Sequence, residues 1–289
     1  MQGHKKFLAL SHIILIIVTV ASLLPFWVLV MASLTEEKVA TKYGYKLWPK
    51  EWSLKAYQFL LTKKEMFGRA YLTTIIVTVV GVLVCILITL MFAYMLSRPG
   101  LPLKGFFNFY VIFTMLFNGG IVATYINYVT VFNIKDTIFG LIVPSLLTNA
   151  FYIMMVRSFF HTNIPLELLE AAKIDGASEF KIFFKVVFPL SKPIIATLGL
   201  LVGVMYWNDW QNAMYYIDDQ TKYGIQSVLN AITESIKFLT MGGGMAMGAV
   251  PSETTRMAAA VIAIIPILII YPFFQEYFVK GITMGAVKG

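Results

Sequence analysis

Six stretches of this chain are long, apolar and almost free of charge, and no water-soluble fold accommodates them. They run over 7–32, 70–97, 106–131, 137–160, 192–216 and 258–280. Each is near the roughly 20 residues an α-helix needs to cross about 30 Å of hydrocarbon. Lipid offers no partner for open backbone groups, so runs of this length are read as helices. The expected fold class is therefore an all-α polytopic membrane protein with six transmembrane helices. Composition agrees: 58% of the 289 residues are hydrophobic and 13% charged, whereas soluble domains lie nearer a quarter charged. Gly81, Ala93, Gly140, Gly199, Gly203 and Ala258 to Ala260 suit close helix packing. Pro25, Pro144 and Pro266 fall inside spans, where neighbouring groups can satisfy the freed carbonyls.

The net charge of +8 does not indicate nucleic acid. Lys and Arg are scattered through the connections, without a basic stripe, and an anionic lipid surface favours them there. One cysteine, Cys85, excludes an intrachain disulfide and a cysteine metal cluster. Lys5 and Lys6 imitate the start of a signal peptide, but the run from Phe7 to Ala32 is too long for one, and a retained first span is expected. Charge does not orient the chain. With both ends cytoplasmic, eleven of the 23 Lys and Arg lie inside, and eight of the rest sit between Lys38 and Arg69.

The polar stretch from His161 to Lys192 is too patterned for slack loop. Pro165 stands near a helix start, with Glu167 in the first turn. Asp175-Gly176 can end that helix through a left-handed residue, and Ala177 opens the next. There Phe180, Phe183, Phe184 and Val187 recur at helical spacing, while Glu179, Lys181 and Lys185 keep to other positions. A short helix, a glycine bend and an amphipathic helix leading back into the membrane are expected.

The same stretch reads Glu170-Ala171-Ala172, three residues, Gly176, nine residues, Val186-Val187-Phe188-Pro189. This resembles the EAA loop of ABC importer permeases, with Val186 and Phe188 replacing the usual Ile and Leu. Further stretches resemble MalG-like carbohydrate permeases: Ala93-Tyr94-Met95-Leu96-Ser97-Arg98, Phe117-Asn118-Gly119-Gly120 with Tyr125, Trp207-Asn208-Asp209-Trp210 and Val287-Lys288-Gly289. Ala123 stands where that family usually has proline. The run Ala171 to Ala177 looks closest to permeases of polysaccharides and complex oligosaccharides.

The resemblance implies a type I ABC importer permease fold with the N and C termini cytoplasmic. The expected organisation is a first helix and external loop over 1–69, then a five-helix core over 70–289. That core carries the cytoplasmic EAA loop at 161–191 and an external loop at 217–257. It implies that Glu170, Ala171, Ala172, Asp175, Gly176 and Pro189 couple the spans to an ATPase, which the tail Ala286-Val287-Lys288-Gly289 also approaches. The implied partners are a second homologous permease subunit, two ATP-binding subunits, an extracellular or periplasmic solute-binding protein and membrane lipid. No cofactor is expected in this chain, ATP and Mg being held by the partner ATPase subunits.

For the substrate path, span five ends in Tyr206-Trp207-Asn208-Asp209-Trp210, with Trp207 roughly 22 Å along it. Aromatic faces can stack on sugar rings, and Asn208 and Asp209 are costly at such depth unless water or a partner meets them. An interfacial aromatic belt is the competing reading, to which Trp210 fits best. Of Asn118, Tyr125, Asn127, Asn149 and Tyr152, most read as interhelical hydrogen bonds, His12 as a packed polar residue, and Arg157 as a snorkelling side chain. Residues 33–69 and 217–257, with the tip Met241 to Gly248, are the segments placed to meet a binding protein. No GxxxxGK[ST] loop or defensible Ser-His-Asp set is present. Three alternatives remain: an importer for a non-sugar solute, a secondary transporter, which would need inverted repeats, and a membrane enzyme using Asp209 and His12.

Overall fold

The computed structural model describes residues 2–241 and 253–286. Among these the chain is mostly helical, and its isolated β-bridge joins Thr35 to Trp52. In order, the helices are α1 (Gln2–Ser33), α2 (Glu37–Tyr43), α3 (Lys55–Thr62), α4 (Lys64–Ser97), α5 (Lys104–Leu116), α6 (Gly120–Ile126), α7 (Phe139–Ile142) and α8 (Ala150–Asn163). There follow α9 (Leu166–Ile174), α10 (Glu179–Ile182), α11 (Phe188–Leu190), α12 (Lys192–Asn208), α13 (Gln211–Tyr216), α14 (Ile225–Met241) and α15 (Glu253–Ala286). Five-residue π-helical stretches follow α6 (Asn127–Val131) and α10 (Phe183–Val187).

Among the described residues, three helices are long and apolar enough to span a membrane: Leu10–Ser33, Lys64–Ser97 and Glu253–Ile270. Two bent pairs raise the number to five if each is one span, Lys104–Leu116 with Gly120–Val131 at 115° and Glu179–Leu190 with Lys192–Asn208 at 79°. Six continuous spans are therefore not seen among the described residues. The expected helix over 137–160 fails for an identifiable reason. Pro144 has no amide to donate, Ser145 takes a left-handed φ of 62°, and the chain restarts at α8. There the Asn149 side chain accepts from the amides of Phe151 and Tyr152. The Pro144 carbonyl still accepts, from the Leu146 amide and the Asn212 side chain. Span three breaks similarly: Phe117 is extended, and Asn118 Oδ1 accepts from the Gly120 amide at 2.9 Å. Asn149 thus caps α8 and Asn118 closes a local turn onto the Gly120 amide, both at helix breaks rather than as bonds between helices. Tyr152 does reach across, its hydroxyl 3.0 Å from Met205 Sδ.

The chain divides into two compact units. One combines Met1–Gly68 with Val228–Ile267. In it α1 is exposed along most of its apolar length, and His12 bonds back to the Leu8 carbonyl at 2.6 Å. Trp27 Nε1 donates to the Leu47 carbonyl at 2.9 Å and its ring stacks on Trp48. Glu37 accepts from the Thr254 amide and hydroxyl at 3.1 and 2.6 Å, placing a carboxylate at the electropositive start of α15.

The second unit combines Arg69–Ser227 with Leu268–Gly289. Its main core joins Leu90, Ala93 and Leu96 of α4, Val156 and Phe160 of α8, Leu169 of α9, Ile182 and Phe183 beyond it, and Leu198 of α12. A second cluster gathers Val77, Cys85, Ile142, Val202, Tyr206 and Ala213. Gly81 permits the closest approach there, since a Cβ at that position would fall within the Tyr206 ring.

Candidate functional site: the coupling segment

The residues 161–191 fold as a helix, a tight bend and a second helix, all within the second unit. The bend at the end of α9 is a Schellman motif. Gly176 has φ 77°, its amide donates to the Lys173 carbonyl, and the Ala177 amide donates to the Ala172 carbonyl, both at 3.0 Å. Ala172 and Ala177, which bracket the motif, pack against the main core. Glycine is required because any side chain in this left-handed conformation is strained; among the described residues, nothing beyond its own chain neighbours comes within 4 Å of a Cβ built there. Pro165 caps α9 from one position before the helix rather than within its first turn. Ser178 accepts from the Lys181 amide at 3.4 Å and caps the second helix, which starts at Glu179, two residues later than expected.

The apolar stripe of the second helix also differs from expectation. Phe183 and Val187 are buried with Ile182, but Phe180 and Phe184 are exposed. The π-helical turn at Phe183–Val187 carries an extra residue per turn and rotates the stripe. It lies just before Pro189, which has no amide to continue an ordinary ladder. Leu166, Leu168, Ala171 and Ile174 of α9 are exposed as well. The segment thus anchors one face in the core and leaves a second apolar face open, with Glu170 beside it.

The carboxylate of Glu179, whose position gave no functional signal in sequence, gathers groups from the end of α4 and from α9. Tyr94 at the end of α4 donates its hydroxyl to Oε2 at 2.6 Å. Arg98 Nη2 donates to Oε1 at 3.2 Å, and Lys173 Nζ of α9 lies 3.9 Å from the same oxygen. The Arg98 guanidinium sits over the Tyr94 ring, 5.6 Å from its centroid, and Phe183 packs against that ring at 5.5 Å. The Tyr94 hydrogen bond, helped by Arg98, holds the Glu179 carboxyl below its ordinary range. Beside this cluster lies a pocket of about 540 Å³, lined by residues that include Met91, Met95, Arg98, Leu166, Glu170 and Phe180.

The substrate-path candidates are placed differently from their expectation. Tyr206 is only 2% exposed, and its hydroxyl donates to the Ile142 carbonyl at 2.8 Å. Trp207 is buried, with the Tyr71 ring 6.5 Å away. Both ring faces expected to meet a sugar are covered by packing. Asp209 lies between α12 and α13, at the C-cap of α12, its Oδ1 accepting from the amides of Gln211 and Asn212 at 3.1 and 3.3 Å. Two backbone amides thus face this carboxylate. Asn208 alone of the four is exposed; its Nδ2 donates to the Val204 carbonyl and its Oδ1 accepts from Gln226. Ala286 ends α15, while Val287, Lys288 and Gly289, and the tip beyond Met241, lie outside the described residues.

Residues 86–284 match the family described as binding-protein-dependent transport system inner membrane component. The chain belongs to that family. Its match covers the coupling segment, the last third of α4 and most of α15, so this chain is a multi-pass inner-membrane protein. Along 99% of both chains it is 38% identical to the polygalacturonan/rhamnogalacturonan transport system permease protein YtcP of Bacillus subtilis. It is 37% identical to protein LplC of the same organism, over 93% of this chain and 90% of that one. Among solved structures it resembles a bacterial ABC transporter involved in the import of the acidic polysaccharide alginate, with a TM-score of 0.82 and 29% identity over 96% of this chain and 98% of that one.

Proposed function

We propose that this chain is the permease subunit of an ATP-driven importer that moves a saccharide, an oligosaccharide or polysaccharide fragment, into the cytoplasm. A binding protein outside the membrane delivers the substrate. A second homologous permease completes the pathway, and two partner subunits bind ATP and Mg and hydrolyse the nucleotide, for which this chain supplies no phosphate-binding loop. The chain crosses the membrane six times with both ends cytoplasmic, the broken stretches counting as crossings. The first helix and external loop occupy 1–69 and the five-helix core 70–289, with an external loop at 217–257.

The observation that carries this reading is the coupling segment. Glu170-Ala171-Ala172 sits on a short helix held at a fixed angle by Gly176, with one apolar face in the core and another exposed. An exposed apolar face outside the spans is what a docking helix needs, and Ala171 lets a partner approach closely. Glu170 and Asp175 offer carboxylates to basic groups of the ATPase, Pro189 sets the return into the membrane, and the tail from Ala286 to Gly289 lies near the ATPase pair. The substrate class comes from the relatives, whose names refer to polygalacturonan and alginate.

The test is uptake of labelled oligogalacturonides and of neutral oligosaccharides by proteoliposomes holding the full complex with its binding protein. ATP-dependent accumulation of one saccharide class supports the reading. Accumulation driven by an ion gradient without the ATPase subunits refutes it.

A further inference from the structure

Glu179 makes the densest set of polar contacts in the coupling segment, and none of the residues singled out for coupling accounts for it. Its carboxylate is tied to Tyr94 and Arg98, four residues apart at the end of α4, and approached by Lys173 from α9. The carboxylate itself is 51% exposed, so an ion pair with a solvated partner would contribute little. Its partner is not solvated. The Arg98 side chain is 16% exposed, and its Nη1 is buried without a hydrogen-bond acceptor. Glu179 is thus the carboxylate that offsets a largely buried guanidinium, and removing it leaves that charge in a poor environment.

The apolar packing around the cluster gives it mechanical meaning. Phe183 packs on the Tyr94 ring, and Ile182, Phe183 and Leu169 share one core with Leu90, Ala93 and Leu96 of α4. Polar and apolar contacts therefore join the same three elements: the docking helix α9, the helix beginning at α10, and the end of α4. Interiors packed this way transmit displacement instead of absorbing it.

We infer that Glu179 is a positioning residue that clamps the coupling segment to the end of α4 through Tyr94 and Arg98, so that displacement of the docking helix is delivered to that span. This rests on the proposed importer function. Without the clamp the second helix keeps its apolar anchor, but the polar end beside α9 is free to move independently of α4. ATP hydrolysis then proceeds with less transport.

The test uses the complete complex in proteoliposomes, with uptake, substrate-stimulated ATPase and co-purification of all subunits measured together. Glu179→Gln and Arg98→Gln are each expected to lower saccharide uptake per ATP hydrolysed roughly tenfold, the loss of a charge-assisted hydrogen bond. Arg98→Lys, which keeps the charge, recovers part of it. The double variant should be no worse than either single one, since both remove one interaction. Tyr94→Phe keeps the ring and its packing and is expected to lower the ratio roughly threefold, which guards against a folding defect in the charge variants. If Glu179→Gln, Arg98→Gln and Tyr94→Phe all keep the wild-type ratio, or if the losses simply multiply in the double variant, the clamp is refuted. A wild-type complex that shows no ATP-driven uptake contradicts the importer reading instead, so the two failures are distinguishable.

Discussion

Replacing Gly176 by larger residues tests whether the angle between the two coupling helices governs transport. At φ 77° an L-residue suffers a clash between its own Cβ and the backbone, while among the described residues nothing beyond the chain neighbours lies within 4 Å of that Cβ. The penalty is therefore conformational rather than one of space. For valine it is about 1–2 kcal/mol, which shifts the population of the bent geometry by a factor of about 5–30. Alanine costs somewhat less, and asparagine least, because its short polar side chain tolerates the left-handed region. The expected order of substrate-stimulated ATPase and uptake is Gly above Asn, then Ala, then Val, at matched membrane insertion. Normal stimulation in Gly176→Val would refute the claim that the bend matters. Equal damage from Asn and Val would refute the backbone explanation and locate the constraint in a partner surface that excludes any side chain.

Gly81→Ala should lower the thermal unfolding temperature of the purified chain in detergent, by a loss of about 1–3 kcal/mol, because the new methyl displaces the Tyr206 ring and its bond to Ile142. Asn208→Leu should slow saccharide uptake without changing complex assembly, since Asn208 is the exposed member of the substrate-path candidates; unchanged uptake at matched expression removes it from the path. The Glu179 carboxyl lies below its ordinary value of about 4.5, first through the Tyr94 hydrogen bond. A depressed carboxyl stabilises the fold above its unfolded value and loses that contribution as pH falls through the folded one. Coupling through the clamp, with Tyr94, Arg98 and Lys173 facing the carboxylate, should therefore be flat around neutral pH and fall only in acid, measured as the ratio of Glu179→Gln to wild-type uptake across pH.

The parts of the site legible in sequence were those with local causes. Asp175-Gly176-Ala177 specifies a helix end by chain chemistry alone, and the structure realises it with both Schellman hydrogen bonds. Asn118 and Asn149 depart from the interhelical reading for a common reason. A hydropathy window registers apolar length but not where a helix breaks, so polar groups that bond to backbone amides at those breaks look like polar groups stranded in spans. Pro144 before Asn149 and Gly119-Gly120 after Asn118 were the available signals, each a break beside a short polar side chain. Phe184 lies inside a π turn, which a fixed 3.6-residue period does not anticipate, while Phe180, one turn earlier, also faces outward. Tyr206 and Glu179 depend on distant partners: Tyr206 meets Gly81 and Ile142, while Glu179 meets Tyr94 and Arg98 across 85 and 81 residues. Nothing local marks such pairs.

The coupling segment's contact with an ATPase is most directly tested by cross-linking. Ala171 is exposed on α9, and Cys85 is buried and can be replaced to leave a single engineered thiol. In membranes holding the complete complex, a photoactivatable cross-linker at Ala171→Cys should join this chain to the ATP-binding subunit, with a yield that changes when ATP is added. The same probe at Asn208→Cys should give no such product. Cross-linking from Asn208 but not from Ala171 would place the ATPase at the other end of α12 and contradict the account.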